Sequence, residues 1–302
     1  MMFRTVAAVL GFALLQLPGA PQALAGQSIK TSIRQAPLPS ATASDLRLGS
    51  SAFAIAHQET GEILVERRGE VVLPIASITK LMTAMVVLDA GQSLSETLTV
   101  TRADIDTLKG TGSRLPIGAR MTREQMLLLA LMSSENRAAS ALARHYPGGE
   151  KAFVAAMNVK ARLIGLDATR FYDSTGLDPR NVSNPRDLVR MVSAASAYPL
   201  IREFSTSDDR QVRIGKSTLQ YRNSNSLVRS PEWQIGLSKT GFIREAGRCL
   251  VMQTWLKGEP VIIVLMNAND RSTRSTDAVR VKQWLETGGL SRVALSAGRR
   301  DG

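Results

Sequence analysis

The chain is expected to fold as an α/β protein of the α+β kind. One antiparallel sheet, flanked by helices, should be assembled from both ends of the chain around an inserted all-α region. Three observations predict this. Short apolar runs at residues 51–56 and 63–65, separated by Thr60 and Gly61, read as a β-hairpin. Residues 75–197 carry a series of helical patterns. After about residue 205 apolar and alternating runs return, and a final helical stretch closes the order.

The elements follow in turn. In residues 75–88, Leu81, Met85 and Leu88 keep helical spacing and their neighbours are apolar too, so this helix should be buried nearly all round. Thr122 and Gln125 form a capping box ahead of a helix at 126–132. Ser133-Ser134-Glu135-Asn136 interrupts the pattern, which resumes at 138–143. Further helices are expected at 152–164 and at 185–197, the latter capped by Ser183 or Asn184. Residues 211–214, 235–243, 249–255 and 261–266 read as strands, with Lys257-Gly258-Glu259-Pro260 as a turn, and 272–287 as the closing helix.

At 302 residues, 44% hydrophobic and 21% charged, the chain can bury a sizeable core, which excludes a disordered or low-complexity protein. A single cysteine, Cys249, excludes an intramolecular disulfide and a multi-cysteine metal site, and its apolar strand makes it a core residue. Two histidines, His57 and His145, leave little for a zinc site or a Ser-His-Asp triad, and both are expected at the surface or close to a loop. No metal or other cofactor is implied, and a catalytic base other than imidazole is expected. Trp233, Trp255 and Trp284 read as packing residues.

Arg4, an apolar run over 6–17 and the small-x-small triplet Ala23-Leu24-Ala25 form the pattern of a cleaved secretory signal peptide over residues 1–25. The run is shorter than the about 20 apolar residues that span a bilayer. No transmembrane segment is expected once it is removed. Residues 26–47, with Pro37 and Pro39, read as a linker, 48–290 as the folded domain and 291–302 as a loosely ordered tail. Within the domain, 48–90 and 200–290 form the α/β part and 91–199 the mostly α part. The formal net charge is +12, spread in pairs such as Arg67-Arg68 and Arg299-Arg300. Export and the 5% aromatic content argue against nucleic acid, so a peripheral association with an anionic cell envelope, or plain solvation, accounts for the charge.

Lys80 is the only charged residue in 71–88. A buried lysine is costly unless paired or neutral, and burial lowers its pKa. Ser77 lies three residues earlier on the same helix face, so a neutral amine could activate its hydroxyl without histidine. The alternative is a lysine that snorkels to solvent. Ser134-Glu135-Asn136 would expose polar side chains into a cleft, or simply join two helices. Lys239-Thr240-Gly241 places a lysine and a glycine in an apolar strand, the glycine permitting close backbone approach and the lysine presenting a fixed positive charge. Alone it reads as an edge-strand lysine that discourages aggregation.

Together these form the ordered set S-x-x-K, S-x-N, K-T-G. With IASITKLMTAMVVLDA at 75–90, LMSSENRAASALARHYPGG at 131–149, DSTGLDPRNVS at 173–183 and GLSKTGFIREAGRCLVMQ at 236–253, the chain resembles the low-molecular-mass penicillin-binding proteins. These are the serine D-Ala-D-Ala peptidases of S11 type, and the resemblance is greatest to their D-alanyl-D-alanine endopeptidase branch. It covers roughly residues 45–290 and implies the β-lactamase/penicillin-binding-protein-like fold. It also implies a periplasmic location, peptidoglycan as substrate and β-lactam antibiotics as inhibitors. It further implies that Ser77 is the nucleophile, Lys80 its base and Ser134 the group that passes the proton to the leaving amine. Asn136, Lys239, Thr240 and Gly241 would bind substrate, and the backbone N–H groups of Ser77 and Phe242 would form the oxyanion hole. Arg271 or Arg274 is a weaker candidate for a terminal carboxylate. No E-x-x-L-N stretch is present, which argues against a β-lactamase. Glu135 departs from the small residue that many relatives carry in S-x-N. A DD-carboxypeptidase and a non-catalytic, murein-binding scaffold are the alternatives.

Overall fold

The computed structural model describes residues 46–270 and 272–289. The expected signal peptide, most of the linker, the tail and Arg271 lie outside the described residues. Strands β1 (Ala52–His57), β2 (Ile63–Arg67) and the two-residue β3 (Leu73–Pro74) come first. Helix α1 (Thr79–Asp89) follows, then the short β4 (Thr97–Thr99) and β5 (Arg120–Thr122). Next come α2 (Arg123–Met132), α3 (Asn136–Arg144), α4 (Gly149–Leu163), the two-residue β6 (Val182–Ser183), α5 (Pro185–Ser196) and α6 (Pro199–Thr206). The chain then forms β7 (Asp209–Ile214), β8 (Ser217–Arg222), β9 (Gln234–Ile243), β10 (Gly247–Leu256), β11 (Glu259–Ala268) and α7 (Thr273–Trp284).

The main sheet has the order β2-β1-β11-β10-β9 with antiparallel neighbours, so the first hairpin and the last three strands close into one surface. Side chains alternate between its faces. Ala52, Ala54, Ala56, Val251, Ile262 and Val264 join the core formed with the α region. Phe53, Ile55, Met252, Ile263 and Leu265 join a second cluster with Ala278, Val281 and Leu285. Both faces are covered, which is why these strands read as nearly unbroken apolar runs. Leu46 is buried in the second cluster, so packing reaches into the expected linker.

Local signals place the helix starts. The Thr122 hydroxyl accepts from the Gln125 amide while the Gln125 side chain accepts from the Thr122 amide. The Asn184 side chain accepts from the Asp187 amide at 2.7 Å, and Pro185 supplies the first helical position. α1 is buried from Thr79 to Val87.

Several expectations are corrected. The turn before β11 is confined to Lys257 and Gly258, both at positive φ, because a two-residue hairpin of this kind needs left-handed backbone at both positions. Glu259 and Pro260 already belong to β11. His57 is not at the surface: it is 5% exposed, but it ends β1 next to a turn, loop-proximal as expected, with the Glu259 carboxylate 3.0 Å from its Nε2. β7 extends the strand expected at 211–214 back to Asp209, whereas α6, β8 and the short pairs β3–β6 and β4–β5 had no sequence signal of their own.

Candidate active site

Ser77 sits in a single 3-10 turn (Ala76–Ile78) directly before α1. The entry to this turn is strained, with Ala76 at φ +48°. It is held by the β3–β6 pair and by Ile75 donating to the Asn181 carbonyl at 3.0 Å. Two glycines let backbone close around it. A Cβ on Gly176 would lie 1.9 Å from the Ala76 carbonyl oxygen, and one on Gly241 would lie 2.9 Å from the Ile75 oxygen and 3.2 Å from the Ser77 nitrogen. The close approach expected of the K-T-G glycine is therefore an approach to the serine.

Lys80 is fully buried. Its Nζ reaches Ser77 Oγ at 2.8 Å, Asn136 Oδ1 at 2.8 Å and the Thr175 carbonyl at 2.7 Å. Burial pushes its pKa down to about 8, although the charges of Asp173 and Glu135 pull the other way. The set of partners is chemically directional. Two are acceptors only, and the third is a hydroxyl that can donate or accept. A neutral amine spends its two N–H groups on Asn136 and Thr175 and turns its lone pair to Ser77. The snorkelling alternative is excluded.

Across the cleft stands a second serine and lysine. Ser134, at φ +62°, lies in the turn between α2 and α3. Lys239 projects from β9, is 1% exposed, and donates to Ser134 Oγ at 2.9 Å and to the Thr240 carbonyl at 3.0 Å. Burial, reinforced by the nearby charges of Lys80 and Arg274, holds the Lys239 amine well below the usual lysine range. The Thr240 hydroxyl donates to Ser224, whose own amide is tied to the Met132 carbonyl at the end of α2. Phe242 follows on the same strand, 53% exposed, with the Arg248 guanidinium 4.3 Å from its ring centroid. β9 is the edge strand of the sheet.

Sequence reasoning used residues 173–183 for the resemblance but gave them no part in supporting Lys80. Asp173 accepts from the Gly176 amide at 2.8 Å and from Asn181 Nδ2 at 2.7 Å, and it also accepts from the Thr175 hydroxyl. Asn181 also bonds the Thr79 hydroxyl at 3.1 Å. The run DSTGLDPRN, dense in turn-forming residues, was the available signal. A cleft of about 210 Å³ beside Asn136 and Thr175 also includes Asp106, Ser140 and Glu150. A larger cavity, about 410 Å³, lies between β1 and α5 and contains none of these groups. Among the described residues no cluster of His, Cys, Asp and Glu could hold a metal ion, and no helix is long and apolar enough to cross a membrane.

The family of S11 peptidases, described as D-alanyl-D-alanine carboxypeptidase, matches residues 39–270. The chain belongs to that family. Among curated relatives, this S11 peptidase is 44% identical over 273 residues to a D-alanyl-D-alanine endopeptidase of Pseudomonas aeruginosa, covering 89% of this chain and 88% of that one. It is also 44% identical over 286 residues to one of Escherichia coli, covering 94% and 89%. Among solved structures it superposes on the DD-transpeptidase of Streptomyces K15 with TM-score 0.74 and 26% identity, over 81% of this chain and 98% of that one. The fold expected from the motifs is thus the fold of the S11 peptidases.

Proposed function

We propose that this protein is a periplasmic serine DD-endopeptidase that hydrolyses D-alanyl–meso-diaminopimelyl cross-links in peptidoglycan and is acylated by penicillin. The observation that carries the reading is the placement of the Lys80 amine, sealed from water and 2.8 Å from the Ser77 hydroxyl. Two relatives named endopeptidases, each 44% identical over most of the chain, support the choice of bond.

In the proposed reaction Ser77 Oγ attacks the D-alanyl carbonyl while its proton passes to Lys80 Nζ. The backbone N–H groups of Ser77 and Phe242 stabilise the developing oxyanion. Collapse of the tetrahedral intermediate breaks the C–N bond, and the leaving amine takes a proton through Ser134, which Lys239 orients. Asn136, Lys239, Thr240 and Gly241 hold the substrate, which lies along the open edge of β9 as an added strand. Water then cleaves the ester and restores the Ser77 hydroxyl.

Intact-mass measurement after incubation with benzylpenicillin, followed by peptide mapping, should show one adduct at Ser77, lost in Ser77→Ala. No adduct on the folded wild type overturns the reading. Side-by-side digestion of cross-linked dimers and pentapeptide monomers separates it from a DD-carboxypeptidase, the activity that the family description names. Murein binding without turnover would instead mark a scaffold.

A further inference from the structure

The segment between the 3-10 turn Arg102–Asp104 and β5 lies along the active-site cleft. Asp106 organises it. Its Oδ1 accepts from the amides of Leu108 and Lys109 at 2.8 and 2.9 Å, and its Oδ2 accepts from the Thr111 amide and hydroxyl at 2.8 and 2.7 Å. These bonds hold the Asp106 carboxyl below the usual carboxylate range, against the opposing effect of partial burial. The Thr111 hydroxyl in turn accepts from Asn136 Nδ2 at 3.0 Å. The segment is fastened on either side, by the Ser113 hydroxyl donating to Glu135 and by a 2.5 Å ion pair between Lys109 and Glu245 in the β9–β10 turn.

The polarity of this chain of bonds is forced. A carboxylate only accepts, so the single Thr111 hydroxyl proton goes to Asp106. The Thr111 oxygen then faces Asn136 with lone pairs and must receive an N–H. That fixes the Asn136 amide with its nitrogen toward Thr111 and its Oδ1 toward Lys80, 2.8 Å away. A flipped amide would set oxygen against oxygen at Thr111 and N–H against N–H at Lys80. The fixed orientation leaves the second N–H of Nδ2 for a substrate carbonyl.

We infer that Asp106 and Thr111 are positioning residues that act through Asn136, locking its amide in the one orientation that accepts from Lys80 and offers an N–H to substrate. The inference rests on the proposed role of Lys80 as base. Neither residue touches the reacting atoms. Thr111 is exposed, so replacing its hydroxyl by a methyl group leaves the core untouched.

The test is stopped-flow acylation by benzylpenicillin with Thr111→Val, Thr111→Ser and Asp106→Asn. Loss of one such network bond predicts an acylation rate constant about tenfold lower for Thr111→Val, with Thr111→Ser retaining at least about half of the wild-type rate. Asp106→Asn should fall between them. In an Asn136→Ala background Thr111→Val should cost nothing further, because its effect passes through the missing amide. A Thr111→Val that acylates like wild type overturns the inference. So does a Thr111→Ser as slow as Thr111→Val, or a full additional loss on top of Asn136→Ala. Nitrogen-15 NMR of the Asn136 side-chain amide gives a reading independent of chemistry: its signals should move in Thr111→Val and stay in Thr111→Ser. Wild type that never acylates would overturn the proposed reaction, while the NMR comparison would still decide the positioning.

Discussion

The site contains two serine–lysine pairs, and they are built in opposite ways. Ser77 and Lys80 are three residues apart and share one turn at the head of a buried helix. Ser134 and Lys239 are separated by 105 residues and meet only because an α-region turn is packed against the edge strand of the sheet. Both amines are out of water, and burial is the largest influence on each. Their surroundings differ in sign. Lys80 is faced by the carboxylates of Asp173 and Glu135, whereas Lys239 is faced by the cations Lys80 and Arg274. The contrast teaches that one chemical unit can be written locally or by topology. The electrostatics of each copy follow from what the rest of the fold brings against it.

The sharpest way to break this comparison is to remove one member of each pair. Lys80→Met removes the proposed base and should slow acylation by penicillin about 10⁴-fold. Ser134→Ala removes only the proposed route of proton delivery and should slow it about 10²-fold. Equal losses would mean that the two pairs act as one unit. The glycine that lets the chain close over Ala76 should matter next. Gly176→Ala, at φ +81° and against the Ala76 carbonyl, should cost roughly 2–3 kcal/mol in urea unfolding and lower the acylation rate as well.

The pH profile sharpens the electrostatic half of the comparison. With the neutral amine as the proposed base and burial holding the Lys80 pKa at about 8, acylation should rise with pH through about 8. Glu135 raises that pKa, so Glu135→Gln should move the rising limb to lower pH. A limb that stays in place would show that the carboxylate does not act on Lys80. The smallest effect is expected at a helix cap. Asn184→Ala removes the cap of α5 and should cost about 1 kcal/mol in thermal unfolding with acylation unchanged.

The legibility of the chain follows the same division between local and long-range causes. The capping box at Thr122 and Gln125, the apolar strands β10 and β11 and the buried α1 were readable, because each depends on spacing within one element. So was the pairing of Ser77 with Lys80. The protonation tendency of Lys239 was not, since it depends on burial and on the charges of Lys80 and Arg274, brought in from other elements. Neither was the support of Lys80 by Asp173 and Asn181, where hydrogen bonds link residues that share no periodic pattern. α6 and β8 were missed because their burial comes from neighbours. β8 buries only Tyr221 fully, and its alternation is too weak to read.

The pairing of β1 with β11, Phe53 opposite Leu265, bears on how the molecule comes into being. Ribosomal synthesis delivers Ser77 and Lys80 well before β9, whose Gly241 closes against the Ser77 turn and which joins the first hairpin only through β10 and β11. Contacts so distant along the chain are slow to form and are made late in folding. A polypeptide that has not yet reached β9 thus carries the proposed nucleophile without the Gly241 approach and without the Lys239–Ser134 contact, and the proposed chemistry waits on the sheet.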